Sequence, residues 1–158
     1  MTDLQDRVRT VLDANRYLVL GTVQPDGSPR VSPVYFTAEG ADTFFWVSSP
    51  EAQHSRNIAR DSRVELVVFD SSRLPGETAA VYVTGMAEEV PAIELATACA
   101  TAFARVGEGA RAFAAEELSG DADLRLYRAT TAEIAVHVRG SDPSYGTGVD
   151  TRLVVPPG

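Results

Sequence analysis

The feature that most constrains the fold is a set of short apolar runs in which hydrophobic and polar residues do not alternate. The runs lie at residues 17–23 (YLVLGTV), 31–36 (VSPVYF) and 64–69 (VELVVF). A strand with one solvated face would alternate apolar and polar residues, so we expect both faces of these strands to be covered. One face would fill a small closed or split β-barrel. A helix, a ligand or a second subunit would then cover the other face.

Strand-like runs separated by turns recur along the whole chain. They predict six to seven strands, at 17–23, 30–38, 43–48, 64–70, 78–89 and 124–138, with a short edge strand at 152–155. The turn Gln24-Pro-Asp-Gly-Ser28 makes the first two strands a hairpin. The predicted class is mainly β: an antiparallel split barrel with flanking helices, formed by residues 1–158 as one domain.

Three stretches have helical signals. In the N-terminal helix, 1–15, Thr2 and Gln5 match a capping box. The second helix is predicted at 51–61, with Ser49 as its N-cap and Pro50 as its first helical residue. A third, alanine-rich stretch at 91–118 is predicted as a helical insertion broken near its glycines. Residues 140–158 are predicted to form a polar loop, 140–148, followed by the edge strand.

Charge and composition exclude several classes of function. The formal net charge is −8, which argues against non-specific binding to nucleic acid or to an anionic membrane. The chain has no lysine, so a lysine Schiff base is excluded. It shows no signal peptide and no apolar run of ~20 residues, which predicts a cytoplasmic protein.

Motifs for metal binding or nucleophilic catalysis are not found. No cluster of ligands has the spacing of a metal site, and no catalytic residue can be named. Cys99 is the only cysteine and is expected to be a core residue. His137 lies in an apolar strand and is expected to be structural, which leaves His54 as the histidine of interest.

The passage from strand to helix at 46–60 is the strongest functional signal. The first amide hydrogens of a helix lack internal partners, so they favour anions. Two serine hydroxyls precede the helix, and His54 and Arg56 flank its expected buried stripe of Ala52, Ser55, Ile58 and Ala59. Arg30 and Ser32 share one face of the second strand. These groups together predict a site for an anionic ligand.

Four segments carry a resemblance to a known family: 21–36 (GTVQPDGSPRVSPVYF), 45–49 (FWVSS), 54–64 (HSRNIARDSRV) and 80–85 (AVYVTG). In order and spacing they resemble the pyridoxamine 5′-phosphate oxidase-like FMN-binding split-barrel family. The branch they resemble includes actinobacterial flavin- and deazaflavin-dependent oxidoreductases. The similarity runs from about residue 14 to about residue 89.

The resemblance implies a homodimer with two cofactor sites at the subunit interface. In the family, the strand that matches 30–35 lies along the flavin ring and ribityl chain, and the segment that matches 46–49 packs by the ribityl phosphate. The implied cofactor-binding residues are Arg30, Val31, Ser32, Pro33, Val34, Trp46, Val47, Ser48, Ser49, Gln53, His54 and Arg56.

Two positions depart from the family pattern. His54 stands where the family usually has a phosphate-binding lysine, so Arg30 or Arg56 would supply the full charge that a neutral imidazole lacks. Ala80 stands where true pyridoxamine phosphate oxidases carry a glutamine, and the C-terminal third lacks a match to their substrate-phosphate arginines. These departures argue against oxidation of vitamin B6.

The sequence thus favours an FMN-binding oxidoreductase that transfers hydride between the flavin N5 and a reduced nicotinamide or other small substrate. One alternative is a reductase that uses the deazaflavin coenzyme F-420, whose longer anionic tail would use Arg56, Arg60 and Arg63. The other alternative is a non-catalytic binding or stress protein that has kept the barrel.

Overall fold

The computed structural model describes residues 3–156, and its main element is one curled antiparallel sheet. Seven strands follow the order β2-β1-β5-β6-β7-β4-β3, and β8 pairs with β7 outside this path. The strands are β1 (Tyr17–Val23), β2 (Pro29–Tyr35), β3 (Thr37–Glu39), β4 (Thr43–Ser48), β5 (Arg63–Phe69), β6 (Ala80–Glu89), β7 (Arg125–Val138) and β8 (Thr151–Val154). This sheet confirms the predicted mainly β split barrel.

The inner face of the sheet forms the main core. Leu18 and Leu20 of β1 meet Leu66 of β5 there, and all three are almost completely buried. Helix α1 (Asp3–Ala14) packs against this core with an apolar face formed by Leu4, Val8, Val11 and Leu12. The predicted capping box includes Thr2, which lies outside the described residues.

A second hydrophobic cluster lies on the outer face of β4 and β7. Phe45 and Leu126 pack there against helix α3 (Leu95–Ala102). Cys99 of this helix is buried in the cluster, which confirms it as a core residue. Burial raises the pKa of its thiol, and the nearby Glu116 carboxylate acts in the same direction.

The outer face of the other strands is only partly covered. An apolar row crosses β2, β1, β5 and β6, because one residue of each strand is paired in register with the next: Pro33, Val19, Val67 and Tyr82. Beside this row, Val31 is 69% exposed. The helical part of the 91–118 region packs on β4 and β7, and none of the four residues of this row belongs to its cluster.

Helix α2 (Gln53–Arg60) begins two residues later than predicted. Ser49 is not its N-cap and Pro50 is not its first residue, because residues 49–52 form a separate turn. The Ala52 amide donates to the Ser49 carbonyl at 3.1 Å, and the Glu51 amide donates to the Ser49 hydroxyl at 3.1 Å. Ser55 and Ile58 are buried as predicted, but the third buried residue of the helix is Asn57, and Ala59 is exposed.

The 91–118 region is less helical than predicted. It contains a 3₁₀ turn at Ala92–Glu94, helix α3, and a second 3₁₀ turn at Ala115–Leu118. Residues 103–114, which we call the connecting segment, contain no helix. Tertiary contacts hold its backbone instead: the Gly107 amide donates to the Tyr35 hydroxyl at 3.0 Å, and Arg16 donates to the Glu108 carbonyl at 3.1 Å.

Candidate functional site

The end of β4 and the start of α2 bring three of the predicted site residues together. The turn at 49–52 folds the chain back, so that the Ser48 Oγ and the His54 Nε2 are hydrogen-bonded at 2.7 Å. Arg30, on β2, is close enough for its positive charge to act on the imidazole. We call Arg30, Ser48 and His54 the junction group.

Within the junction group, His54 contributes a hydrogen-bonding imidazole but little positive charge. Partial burial lowers the pKa of the His54 imidazole, and the positive charge of Arg30 lowers it further. The imidazole is therefore neutral near pH 7. Any full positive charge in the junction group must come from Arg30.

Arg30 is unusual among the arginines because the protein leaves its guanidinium uncompensated. It makes no hydrogen bond or ion pair within residues 3–156, a property that it shares only with Arg105. The other arginines contact carboxylates or backbone carbonyls. An unpaired guanidinium beside a hydroxyl and an imidazole forms a donor set suited to a phosphate.

Buried hydrogen bonds fix α2 to the barrel beneath the junction group. Asn57 is 1% exposed, donates to the Thr22 hydroxyl at 3.0 Å and accepts from the Gln53 amide at 2.9 Å. Thr22 lies opposite Arg30 in the β1–β2 pair. The network therefore connects the helix to the strand that carries Arg30.

The remaining predicted helix residues are engaged within the protein. Gln53 donates to Asn57, and its amide oxygen lies 3.5 Å from Arg56. Arg56 also contacts the exposed carboxylate of Glu51 at 3.3 Å. A ligand that used Gln53 or Arg56 would have to compete with these contacts, which makes both weaker candidates than Arg30.

The predicted strand residues divide between two faces of the sheet. Val31 and Pro33 lie on the exposed outer face, whereas Val34 points into the core. Ser32 is half-buried on the same side as Val34. Of these four, only Val31 and Pro33 present exposed side chains to a ligand.

The predicted residues of β4 and its following turn are also distributed. Trp46 is 2% exposed and stacks on Tyr127, with ring centroids 6.1 Å apart. Val47 is half-buried and contacts the second cluster, and the Ser49 hydroxyl accepts from the Glu51 amide. Only Ser48 of this stretch joins the junction group.

Sequence reasoning missed two features. Asn57 has no sequence signal, since its partner Thr22 is 35 residues away. A cavity of about 580 Å³, where aromatic residues from distant segments meet, was also missed as a whole, although the predicted cofactor-binding residues Trp46 and Val47 line it. Its aromatic lining consists of Tyr17, Tyr35, Phe45, Trp46, Phe103 and Phe113.

No group of metal-ligating side chains is found in residues 3–156, and none of the helices described there is long and apolar enough to cross a membrane. The fold and the junction group together define a split-barrel protein with a donor set for an anion. The pyridoxamine 5′-phosphate oxidase family matches residues 4–137. The chain belongs to this family.

Solved structures share the fold at low sequence identity. A heme-binding protein from Mycobacterium smegmatis is 20% identical with a TM-score of 0.70; the match covers 98% of this chain and 59% of that protein. HutZ, a heme storage protein from Vibrio cholerae, is 21% identical with a TM-score of 0.67, and the match covers 93% and 99% of the two chains. An F420 reductase is 24% identical with a TM-score of 0.57, covering 80% and 94%.

At these identities the likeness concerns the fold alone. The chain spans about three fifths of the length of the M. smegmatis protein. Among curated protein sequences, none matches this chain.

Proposed function

We propose that the protein is a homodimeric oxidoreductase that binds FMN, with the phosphate at the junction group. The observation that carries the proposal is the unpaired guanidinium of Arg30 beside the hydrogen-bonded pair Ser48 and His54. The guanidinium and the one hydrogen that the Ser48–His54 pair does not use within itself can both donate to the oxygens of a phosphate, and Arg30 forms no ion pair that it would have to break first.

The donor set fits the phosphate end of a flavin, and the apolar face beside it fits the ring. Val31 and Pro33 belong to the same strand as Arg30 but lie on the exposed face. When bound, the flavin supplies hydride chemistry, so the chain itself need only bind, orient and exclude water. The sequence has no recognisable acid–base motif, which agrees with a chain that binds and orients the flavin.

The proposed dimer would cover the apolar row of Pro33, Val19, Val67 and Tyr82. The row crosses four strands, and at its β6 end the Arg152 guanidinium lies 3.7 Å from the centroid of the Tyr82 ring. Pro33 is exposed, and Val19, Val67 and Tyr82 are half-buried. A partly exposed apolar row of this kind is a candidate interaction site. A second subunit there would bring the faces that carry Val31 and Pro33 together and enclose a ring between them.

The deazaflavin coenzyme F-420 is a second candidate, favoured by the structural similarity to an F420 reductase. Its longer anionic tail would need further cations. Arg63, however, forms a 2.7 Å ion pair with Asp61, and Arg60 donates to the Val23 carbonyl. Because these cations are already engaged, FMN is the better match.

Calorimetric titration of the purified protein with FMN, F-420 and heme tests the proposal. We expect FMN to bind most tightly, and Arg30→Ala to weaken FMN binding by roughly 10- to 100-fold, the range for a hydrogen bond to a charged group. Arg105→Ala is the matched control, since it also removes an unpaired arginine, and it should leave the affinity unchanged.

Three results would contradict the proposal: tighter binding of heme or F-420 than of FMN, equal effects of the two arginine substitutions, or a monomer by light scattering at micromolar concentration. A protein that binds none of the three ligands would instead support the non-catalytic alternative.

His54 is tested separately from Arg30. His54→Ala should weaken FMN binding by about 1–3 kcal/mol through loss of a hydrogen bond to the phosphate. His137→Ala is the matched histidine control, because His137 lies on β7 near Asp150 and takes no part in the junction group. Unchanged affinity in His54→Ala would remove this residue from the site.

A further inference from the structure

The connecting segment forms one wall of the cavity of about 580 Å³, which we call the aromatic cavity. Residues 108–111 of the segment line it from one side, and strands β1, β2, β4 and β7 supply most of the other walls. We propose that the connecting segment is a lid on this cavity, with Tyr35 and Arg16 as its latches. A movement of this one segment would open the cavity to solvent while the barrel stays unchanged.

The connecting segment has the form of a loop that is closed at its base. The Phe103 and Phe113 rings lie 5.7 Å apart, so the two ends of the segment meet. Between these ends, residues 104–112 form neither helix nor strand, and none of them is buried. Compact surface loops with adjacent ends are frequently functional, and a segment with few buried contacts opens locally at a low free energy.

Two exposed hydrogen bonds connect the middle of this loop to the barrel. The Gly107 amide donates to the Tyr35 hydroxyl at 3.0 Å, and Arg16 donates to the Glu108 carbonyl at 3.1 Å. A Cβ at position 107 would lie only 3.3 Å from the Tyr35 hydroxyl oxygen, so glycine permits this close approach. Because exposed hydrogen bonds are weak on balance, both can break and form again while the rest of the protein stays folded.

The Tyr35 latch adjoins the strand face that is proposed to hold the flavin ring. Val31, Pro33 and Tyr35 alternate along β2 and project to the same outer face. The lid therefore stands at the end of that face, where its opening would admit a substrate to the ring. This role rests on the proposed function, whereas the movement of the lid is independent of any flavin.

Limited proteolysis with trypsin measures the opening of the lid. Trypsin cleaves after arginine, and Arg105 and Arg111 both lie in the exposed part of the loop. When opening is fast relative to cleavage, the cleavage rate follows the population of the open state. We expect Tyr35→Phe to raise the cleavage rate at these two sites by roughly 2- to 12-fold. Tyr17→Phe is the matched control and should leave the rate unchanged, because the Tyr17 hydroxyl makes no hydrogen bond within residues 3–156.

Thiol labelling measures whether the opening admits a molecule to the cavity. Val47 is half-buried and lines the cavity, and Val47→Cys places a thiol there with little change in side-chain volume. We expect fluorescein maleimide to label this thiol, and Arg16→Gln to raise the labelling rate by roughly 2- to 12-fold.

Two controls accompany the labelling. Arg105→Gln removes an exposed arginine of the loop that has no partner within residues 3–156, and it should leave the labelling rate unchanged. Cys99 is buried in helix α3, so its labelling in the same chain reports general unfolding and should stay far slower. Thermal melting of each variant verifies that it folds.

Three outcomes would overturn the inference. The first is equal tryptic cleavage in the two tyrosine variants, and the second is equal labelling in the two arginine variants. The third is a labelling rate at Val47→Cys no faster than at Cys99, which would mean that the cavity opens only when the protein unfolds. None of these measurements involves FMN, so failure of the lid is distinguishable from failure of the proposed flavin site.

Discussion

The junction group and the aromatic cavity leave opposite kinds of groups unsatisfied. Around the junction group the buried hydrogen bonds of Asn57 are complete, but the charge of Arg30 has no counterpart. Around the cavity Arg111 is paired with Glu117, but the Thr37 hydroxyl and the Trp46 Nε1 are buried without a hydrogen-bond partner within residues 3–156. The first region therefore leaves a positive charge uncompensated, and the second leaves neutral hydrogen-bonding groups without partners.

The largest expected effect tests whether the junction group depends on a rigid support. Asn57→Ala removes a buried amide that bonds Thr22 and Gln53, and it leaves the Thr22 hydroxyl unpaired beneath the helix. We expect a loss of about 1–3 kcal/mol in the free energy of unfolding, measured by urea denaturation.

The matched control is Asn15→Ala, which removes the only other asparagine. Its amide donates to the Val11 carbonyl at 2.8 Å near the end of α1, in a partly buried position. We expect a loss of no more than about 1 kcal/mol there. Equal losses in the two variants would show that the junction has no special support.

A smaller effect is expected at the cavity. Tyr35→Phe removes the hydroxyl that accepts from the exposed Gly107 amide, which fastens the connecting segment to β2. The free energy of unfolding should fall by about 0.5–1 kcal/mol, and the Gly107 amide should exchange its hydrogen faster. FMN affinity should not change.

Tyr17→Phe provides the control for this substitution. Tyr17 forms the same edge-to-face pair, but its hydroxyl makes no hydrogen bond within residues 3–156. Its effect on exchange at Gly107 should be negligible. Equal exchange rates in the two variants would show that the Tyr35 hydroxyl does not hold the segment.

The sequence predicted those features that depend on neighbouring residues. Strand β4 was predicted at 43–48 and runs from Thr43 to Ser48, because turn residues bound an apolar run. The start of α2 was missed because a turn at 49–52 and a first helical turn have similar residue preferences.

Long-range contacts account for the rest. The residue pattern at the strand-to-helix passage and the family resemblance both gave Arg30, Ser48 and His54 as candidates, and their proximity then required the fold. The pairing of Asn57 with Thr22, and the meeting of Tyr35 with the connecting segment, join residues 35 and 72 positions apart. No local pattern records such contacts, so neither the support of the junction group nor the cavity could be predicted.

The smallest expected effect is the pH dependence that His54 gives to the junction group. In the free protein the pKa of His54 is below the ordinary ~6.5 of an imidazole. The unfolded chain therefore binds more protons than the folded one in the interval between the two values. The free energy of unfolding should fall as the pH drops below ~6.5.

FMN affinity should have the opposite pH dependence to the free energy of unfolding. An anion beside His54 stabilises the imidazolium, so the pKa of His54 is higher in the complex than in the free protein. FMN affinity should rise a few-fold as the pH falls through the pKa that His54 has in the complex, and level off below the pKa that it has in the free protein.

The variant His54→Gln should lose this rise and keep only the pH dependence that comes from the second ionisation of the phosphate, near ~6. Calorimetric titrations between about pH 5 and pH 8 measure both profiles. Superimposable profiles would mean that the imidazole does not face the anion.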